Sequence, residues 1–334
     1  MKRDLKKPMD DKKIEPTEPL ISIKNLEVKF INQDATVYAV NGVDIKLERG
    51  KVLTILGESG SGKSVTMRSI LRLLPPKASL SGSIIVDGEN VIEMSQDQLS
   101  NMRGRDVSMI FQEPMVAFDP VYKVGYQIAE TVVRHLGTSF EDALARAKEL
   151  FDLVQIPSAK NRLSAYPHEL SGGMRQRAMI ALALACSPKL LLADEPTTAL
   201  DATVQIQILL LLRQLQRELG MSIIFVTHDV GVATEIADEL AVMYAGKIVE
   251  IGDVADVIKK PAHPYTQGLL SSTVNSESKG KRLEVIGGSP PDMSKLFKGC
   301  AFSPRCKKVL DQCWHQKPAP ESLSTNQIAS CFNI

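Results

Sequence analysis

The order of hydrophobic and polar positions along the chain predicts an α/β fold. Apolar and polar residues alternate over 21–30 and 38–47, which is typical of half-buried strands. Short continuous apolar runs at 51–56, 190–193 and 223–226 predict strands that are buried on both faces. Because these strands alternate with helices, we expect a mainly parallel sheet.

The pattern changes at the start of the chain, in its middle and after residue 257, where a polar linker at 271–280 precedes a Pro- and Cys-rich tail. Residues 1–19 are rich in charge and contain three prolines, which predicts a mobile tail. From about residue 96 to 187 apolar positions recur at helical spacing, so we expect a helical insert there. Together these patterns predict an α/β domain at 20–258 and a small Cys-rich domain at 259–334.

Composition narrows the class of protein. The 334 residues are 44% hydrophobic and 24% charged, with a formal net charge of +1, which is typical of a folded globular protein. A net charge near zero argues against binding nucleic acid through bulk electrostatics. The longest apolar run, Ala178–Cys186, has nine residues. A membrane-spanning helix needs about 18 or more, so we expect none.

A glycine-rich loop follows the strand at 51–56 and precedes a predicted helix. Its sequence matches the phosphate-binding pattern G-x-x-x-x-G-K-[ST], in which backbone N–H groups cradle phosphate oxygens. A purely structural glycine turn is the alternative. We name residues 57–64 the P-loop. Lys63 is expected on the β- and γ-phosphates of ATP and Ser64 on Mg²⁺. The expected nucleotide contacts are Gly57, Ser59, Gly60, Ser61, Gly62, Lys63, Ser64 and Val65.

Two acidic residues end the buried strand at 190–193. An acid at the carboxyl end of a parallel strand faces the ligand crevice. Asp194 is therefore expected to hold Mg²⁺, and Glu195 to polarise the water that attacks ATP. The alternative is a strand that ends in an ordinary helix N-cap.

Residues 170–174, Leu-Ser-Gly-Gly-Met, begin a predicted helix and offer N–H groups and a hydroxyl to an anion. A simple Ser171 N-cap is the alternative. In this order, after a P-loop and before Asp194-Glu195-Pro196, the segment resembles the signature motif of ATP-binding cassette (ABC) ATPases. The resemblance implies a P-loop NTPase with a RecA-like core sheet, an antiparallel β subdomain and a helical insert.

The resemblance also implies roles for other residues. Gln112 resembles the glutamine that contacts Mg²⁺ and senses the transporter, and His228 resembles the switch histidine at the γ-phosphate. Asp201 lies in the stretch that resembles the dimer-contact loop. Phe30 is expected to stack on adenine, and Tyr38 is the second candidate. The alternative is that these aromatic side chains on strands face the core and contact no nucleotide. In the family, Ser171, Gly172 and Gly173 of one subunit close on the P-loop nucleotide of another.

The C-terminal region resembles a narrower branch. Residues 261–270 and 288–306 resemble the C-terminal region of ATPase subunits of oligopeptide and dipeptide importers, a branch that also serves nickel. This implies a peripheral position on the cytoplasmic face of the membrane. The implied partners are a second ATPase subunit, commonly a paralogue but also a second copy, two permeases and an external peptide-binding protein. Alternatives are a soluble ABC-type ATPase acting in iron–sulfur assembly or in DNA repair; we expect no nucleic-acid partner.

Four of the five cysteines fall close to the C-terminus: Cys300, Cys306, Cys313 and Cys331. Thiolates in a reducing compartment suit zinc and iron–sulfur clusters, but the spacing contains no C-x2-C pair and matches no common ferredoxin run. The family resemblance implies a [4Fe–4S] cluster, while zinc or unligated thiols are the alternatives.

Overall fold

The computed structural model describes residues 18–32, 35–198, 200–273 and 285–334. The predicted tail at 1–19 therefore lies outside the described residues, apart from its last two positions, and so does the predicted linker from residue 274 onwards. The described strands form two sheets, one of four strands and one of eight.

The smaller sheet is antiparallel and confirms the two alternating segments as strands. Its order is β2-β1-β4-β5. The strands are β1 (Ile21–Ile31), β2 (Thr36–Leu47), β4 (Ala78–Val86) and β5 (Glu89–Asn90).

The larger sheet holds the buried apolar runs and has a parallel centre. Its strands are β3 (Val52–Leu56), β6 (Val107–Ile110), β7 (Leu190–Asp194), β8 (Ser222–Thr227), β9 (Glu239–Tyr244), β10 (Lys247–Asp253), β11 (Glu321–Ser324) and β12 (Gln327–Ala329). The order is β11-β12-β10-β9-β3-β8-β7-β6, and β9, β3, β8, β7 and β6 run parallel. Every residue of β3, β7 and β8 is buried, as the continuous apolar runs predict.

Helices connect these strands and cover the sheet. They are α1 (Lys63–Ile70), α2 (Gln96–Met102), α3 (Pro114–Ala117), α4 (Val124–Leu136), α5 (Phe140–Leu153), α6 (Ala159–Arg162), α7 (Gly172–Ala183), α8 (Ala202–Leu219), α9 (Val230–Ile236), α10 (Val254–Lys259) and α11 (Pro264–Ser271). One apolar core joins α4, α5, α7 and α8 to the parallel strands, and a second lies between the two sheets.

The structure corrects the prediction for the middle segment in one place. Strand β6 lies inside the range 96–187 that was predicted to be helical, and it pairs in parallel with β7. All four of its residues are buried. Three apolar residues and one serine are too few for periodicity to distinguish a strand from a buried helical turn, and only pairing with β7 decides it.

The C-terminal region is not separate from the rest of the fold. Strand β12 pairs with β10 and so extends the larger sheet. Tyr265 and Phe302 share one apolar cluster with Leu56 of β3 and Tyr244 of β9. The described residues therefore do not support the predicted separate Cys-rich domain; the region buries its apolar side chains against the α/β core because it has little core of its own.

Among the residues that the structure describes, no helix has both the length and the apolar character that crossing a membrane requires.

Candidate functional site

The P-loop joins the end of β3 to the start of α1, as its sequence predicts. Two of its glycines leave no room for a side chain. A Cβ on Gly57 would lie 2.3 Å from the carbonyl oxygen of Met243, and one on Gly62 would lie 2.4 Å from that of Ala39. Gly62 also has a φ of 104°, which L side chains rarely adopt. The glycine spacing is therefore required by the close approach of neighbouring backbone.

Lys63 is folded back over the P-loop. Its Nζ donates to the carbonyl oxygens of Gly57 at 2.8 Å and Glu58 at 2.9 Å, and it lies 4.0 Å from Glu195 Oε1. The side chain is 4% exposed. Burial lowers the pKa of Lys63, and the nearby carboxylates of Glu195, Asp194 and Glu58 oppose this. A buried cation held in this way is suited to meet a phosphate.

Ser64 and Asp194 meet at the carboxyl end of β7. The Ser64 hydroxyl donates to Asp194 Oδ1 at 2.7 Å. Asp194 Oδ2 is buried without a hydrogen-bond partner in the described residues, and Arg68 Nη2 lies 3.6 Å from it. Burial raises the pKa of Asp194. A hydroxyl beside a carboxylate oxygen that lacks a hydrogen bond is the hard-oxygen donor set that suits Mg²⁺, so these residues fit the expected cation.

Glu195 lies where three strand ends meet. Its Oε2 accepts hydrogen bonds from Gln112 Nε2 at 3.3 Å and Thr198 Oγ1 at 3.1 Å, and it lies 3.2 Å from His228 Nδ1. Glu195 also has a φ of 47°, in the left-handed region. Strained backbone of this kind is concentrated at functional sites. The fold thus brings the sequence-predicted Gln112, Glu195 and His228 to the Lys63 side of the P-loop.

The remaining P-loop positions lie around this centre. Ser59 and Gly60 are exposed, Ser61 is buried with a hydroxyl that lacks a hydrogen bond, and Val65 packs against the apolar core.

The recorded hydrogen bonds of Ser171 and Asp201 are local to their own helices. Ser171 is the N-cap of α7, where its hydroxyl accepts from Met174 N–H at 3.4 Å, and Asp201 is the N-cap of α8. In the described part of the chain, no hydrogen bond joins these residues to the P-loop. Ser171, Gly172 and Asp201 are exposed.

The two candidate adenine aromatics have different surroundings. Phe30 packs partly buried against the core between the sheets. Tyr38 lies in a cavity beside the C-terminal region, where its N–H donates to Met293 O at 2.9 Å and Lys29 Nζ lies 5.8 Å from its ring centroid. The C-terminal region thus contacts the backbone of Tyr38, and Lys29 contacts its ring.

The four C-terminal cysteines line one cavity together with His263. Burial raises the pKa of Cys300, Cys306 and Cys331. Within residues 18–32, 35–198, 200–273 and 285–334, no group of three or more His, Cys, Asp or Glu side chains is arranged to hold a metal ion. The structure therefore does not support the expected zinc or iron–sulfur site, although it does gather the four thiols.

Sequence reasoning missed two contacts at the site. Arg68 pairs with Asp194, and its position one helical turn after Ser64 on α1 was a usable signal, since residues four apart share a helix face. Thr198 bonds Glu195 from three positions away, and no local pattern marks it.

Two family models match the chain. Residues 40–198 match the model described as ABC transporter, and residues 249–313 match the model described as oligopeptide/dipeptide transporter, C-terminal region. The first match spans the P-loop, Gln112 and Glu195, and the second spans α11 and three of the four C-terminal cysteines.

Similar proteins cover nearly the whole chain. A putative peptide import ATP-binding protein of Brucella melitensis is 46% identical over 328 residues, which cover 94% of this chain and 97% of the relative. The oligopeptide transport ATP-binding protein OppD of Salmonella typhimurium is 43% identical over 318 residues, which cover 95% of each chain.

A dimeric ATP-binding cassette in a post-hydrolysis state, bound to ADP and Pi, is a structural neighbour with a TM-score of 0.63 and 27% identity. The match covers 70% of this chain and 98% of that chain.

Proposed function

We propose that this chain, which belongs to the ABC transporter family of ATP-binding proteins, hydrolyses ATP to drive the import of di- or oligopeptides. The observation that carries the proposal is the convergence of Gln112, Thr198 and His228 on one carboxylate oxygen of Glu195, beside the buried Lys63. The names of the relatives and the match of residues 249–313 support peptides as the solute, with nickel as the alternative.

Binding of ATP follows from the P-loop. Its N–H groups and Lys63 supply positive charge to the phosphates, and Lys63 exchanges its bonds to two loop carbonyls for phosphate oxygens. Ser64 and Asp194, with Gln112, would hold Mg²⁺. When bound, this cation neutralises charge that develops on the phosphates. Phe30 is our choice to stack on adenine.

Hydrolysis of ATP would use the Glu195 carboxylate as the group that accepts a proton from water. A carboxylate within hydrogen-bond reach of a water orients it and accepts its proton as it attacks the γ-phosphate, whose bond to the bridging oxygen breaks to release ADP and phosphate. Gln112 and Thr198 fix the orientation of this carboxylate through their hydrogen bonds. His228, whose side chain is 57% exposed, is free to turn its other ring nitrogen towards the γ-phosphate.

Turnover would require a second ATPase subunit, either a paralogue or a second copy. The Ser171–Gly173 segment and Asp201 present helix N-termini on the surface, away from the P-loop of the same chain. An exposed helix N-terminus attracts phosphate. The dimeric form of the neighbouring cassette bound to ADP and Pi supports this arrangement.

An exposed apolar patch lies at the N-terminal ends of α4 and α5 and suits docking to a membrane permease. Tyr126 stacks with Tyr122 at 5.8 Å and contacts Phe140 at 5.3 Å, and Val121 is 69% exposed. Contiguous exposed apolar side chains mark interaction surfaces. We place the chain at the cytoplasmic face of the membrane with two permeases, which receive peptide from an external binding protein.

The gathered thiols carry a second, structural proposal. Although the four side chains as described form no metal site, Cys300, Cys306, Cys313 and Cys331 line one cavity, and we propose that they hold an iron–sulfur cluster that stabilises the C-terminal region. Chemical analysis of anaerobically purified protein should find iron and sulfide in amounts that a Cys306→Ser variant lacks. One zinc and no iron, or no metal at all, would overturn this proposal.

A pull-down of the tagged chain from detergent-solubilised membranes tests the main proposal. We expect two permeases among the partners by mass spectrometry, and phosphate release from MgATP by the recovered complex. Lys63→Ala should abolish that release while it leaves the partners bound. Recovery of iron–sulfur assembly or DNA-repair proteins in place of permeases would contradict the proposal.

A further inference from the structure

The C-terminal region contacts the P-loop at Glu58, the second residue of the loop. Arg305 Nη1 donates to Glu58 Oε2 at 2.7 Å, and Nη2 donates to Oε1 at 2.9 Å. Two parallel bonds of this kind are stronger and more directional than a single ion pair. The Arg305 side chain is 6% exposed, so solvent screens the pair weakly.

A second contact holds the backbone of the same residue. The N–H of Glu58 donates to the hydroxyl of Tyr265 at 3.0 Å. Tyr265 lies on α11, is fully buried, and packs its ring against Tyr244 and Phe302 at centroid distances of 4.6 and 5.4 Å. A buried ring in this packing gives the hydroxyl a fixed position.

Contacts other than the Glu58 pair also hold the side chain of Arg305 in place. Its Nε donates to Gly287 O at 2.9 Å and its Nη1 to the Tyr244 hydroxyl at 3.3 Å, while its guanidinium carbon lies 5.8 Å from the Tyr244 ring centroid. In the described residues, the Glu58 carboxylate has no hydrogen bond except those from Arg305. The P-loop therefore depends on Arg305 for the position of this side chain.

The same residue also holds the P-loop lysine. The carbonyl oxygen of Glu58 accepts from Lys63 Nζ at 2.9 Å and from Ser61 N–H at 3.2 Å. A shift of Glu58 would therefore move the N–H groups and the lysine that meet phosphate. A displacement of about 1 Å in a binding site lowers binding or turnover substantially.

We infer that Arg305 and Tyr265 are positioning residues that fix the P-loop in its ATP-binding conformation, so that ATP affinity depends on the C-terminal region. This inference rests on the proposed ATP binding at residues 57–64. It gives the region a role at the nucleotide site, although neither residue belongs to the loop.

A double-mutant cycle on the full chain tests the inference. We compare Arg305→Gln, Glu58→Gln and the double variant by calorimetric titration with MgATP and by steady-state kinetics. Each single variant should raise Kd and KM about tenfold, which corresponds to about 1.4 kcal/mol, while kcat changes less than about threefold. The double variant should bind MgATP no more weakly than either single variant, because the two substitutions remove the same Arg305–Glu58 contact.

Lys148→Gln is the matched control, since it breaks an exposed ion pair with Asp152 on α5 and should leave Kd unchanged. If Arg305→Gln does not fold, Glu58→Gln removes the charge of the same ion pair from the P-loop side, and Tyr265→Phe removes the hydroxyl that accepts from the Glu58 N–H. Wild-type Kd in these variants, or additive effects in the double variant, would overturn the inference while ATP binding stands. If wild-type protein does not bind MgATP, the proposed function itself is wrong.

Discussion

Replacing Glu195 by glutamine removes the charge of one carboxylate and keeps its shape. In the wild-type chain, Oε2 accepts from Gln112 at 3.3 Å and Thr198 at 3.1 Å, and it lies 3.2 Å from His228 Nδ1. The amide of glutamine still offers one oxygen to these partners, so we expect the local packing to persist. It has no charge with which to draw a proton from water.

The expected loss of activity follows from the contacts on each side of Glu195. A positioned general base contributes about 10²- to 10⁴-fold to a rate, so we expect kcat to fall by that factor. Oε1 lies 4.0 Å from Lys63 Nζ, and its charge opposes the effect of burial, which lowers the pKa of Lys63. Since the substitution leaves the contacts of Lys63 with Gly57 and Glu58 intact before ATP binds, we expect the Kd for MgATP to change less than about threefold.

Phosphate release at saturating MgATP gives kcat, and calorimetric titration of the same preparation gives Kd. Every ATPase subunit in the assay carries the substitution, so that no active partner masks the loss. Glu113→Gln, an exposed carboxylate beside Gln112 that makes no cap hydrogen bond, is the matched control and should keep the wild-type kcat. A Glu195→Gln protein that retains more than about a tenth of the wild-type kcat would refute the role of Glu195.

Three further substitutions test other parts of the site and fold. Asp194→Asn removes a charge whose pKa is raised by burial, so the free energy of unfolding in urea should rise by about 1 kcal/mol while Mg²⁺-dependent ATP binding is lost. Gly62→Ala should lower the melting temperature and abolish MgATP binding in calorimetry, because its Cβ would lie 2.4 Å from Ala39 O. Arg213→Gln should lower the free energy of unfolding at pH 7 by about 2 kcal/mol. Burial raises the pKa of Asp238, but hydrogen bonds from Arg213 and from backbone bring it below its usual value. This stability is present above about pH 4 and is lost as the pH falls through the lowered pKa, so urea titrations near pH 3 should show a smaller difference. Reduced stability for Asp194→Asn, wild-type affinity for Gly62→Ala, or a loss for Arg213→Gln that does not vary with pH would each contradict the reasoning.

Local patterns in the sequence were enough to predict the P-loop and the buried strands β3, β7 and β8. The glycine spacing at 57–62 encodes a turn that only small residues allow, and it predicts the turn without any knowledge of the fold. The apolar runs at 190–193 and 223–226 are strands β7 and β8. A strand that is buried on both faces requires an apolar residue at nearly every position, so the sequence alone reveals it.

Prediction was weaker where several structures suit one pattern. Residues 107–110, three apolar side chains and one serine, suit a strand or a helical turn, and pairing with β7 shows that they form a strand. The cysteine spacing did not decide whether the four thiols bind zinc, bind an iron–sulfur cluster or remain unligated. The fold gathers the four thiols in one cavity but provides no arrangement for a metal ion in the described residues.

The contacts that join the site to the rest of the chain were decided by tertiary structure alone. Arg305 and Glu58 are 247 positions apart, and they meet because β12 pairs with β10 and the C-terminal region packs beside the end of β3. Glu195 likewise meets Gln112 and His228 because parallel strands bring their carboxyl ends to one edge. The sequence by itself determined which local segments carry the chemistry, because spacing and burial act within a few residues. Which distant side chains complete the site depends on strand order, and no local pattern encodes that order.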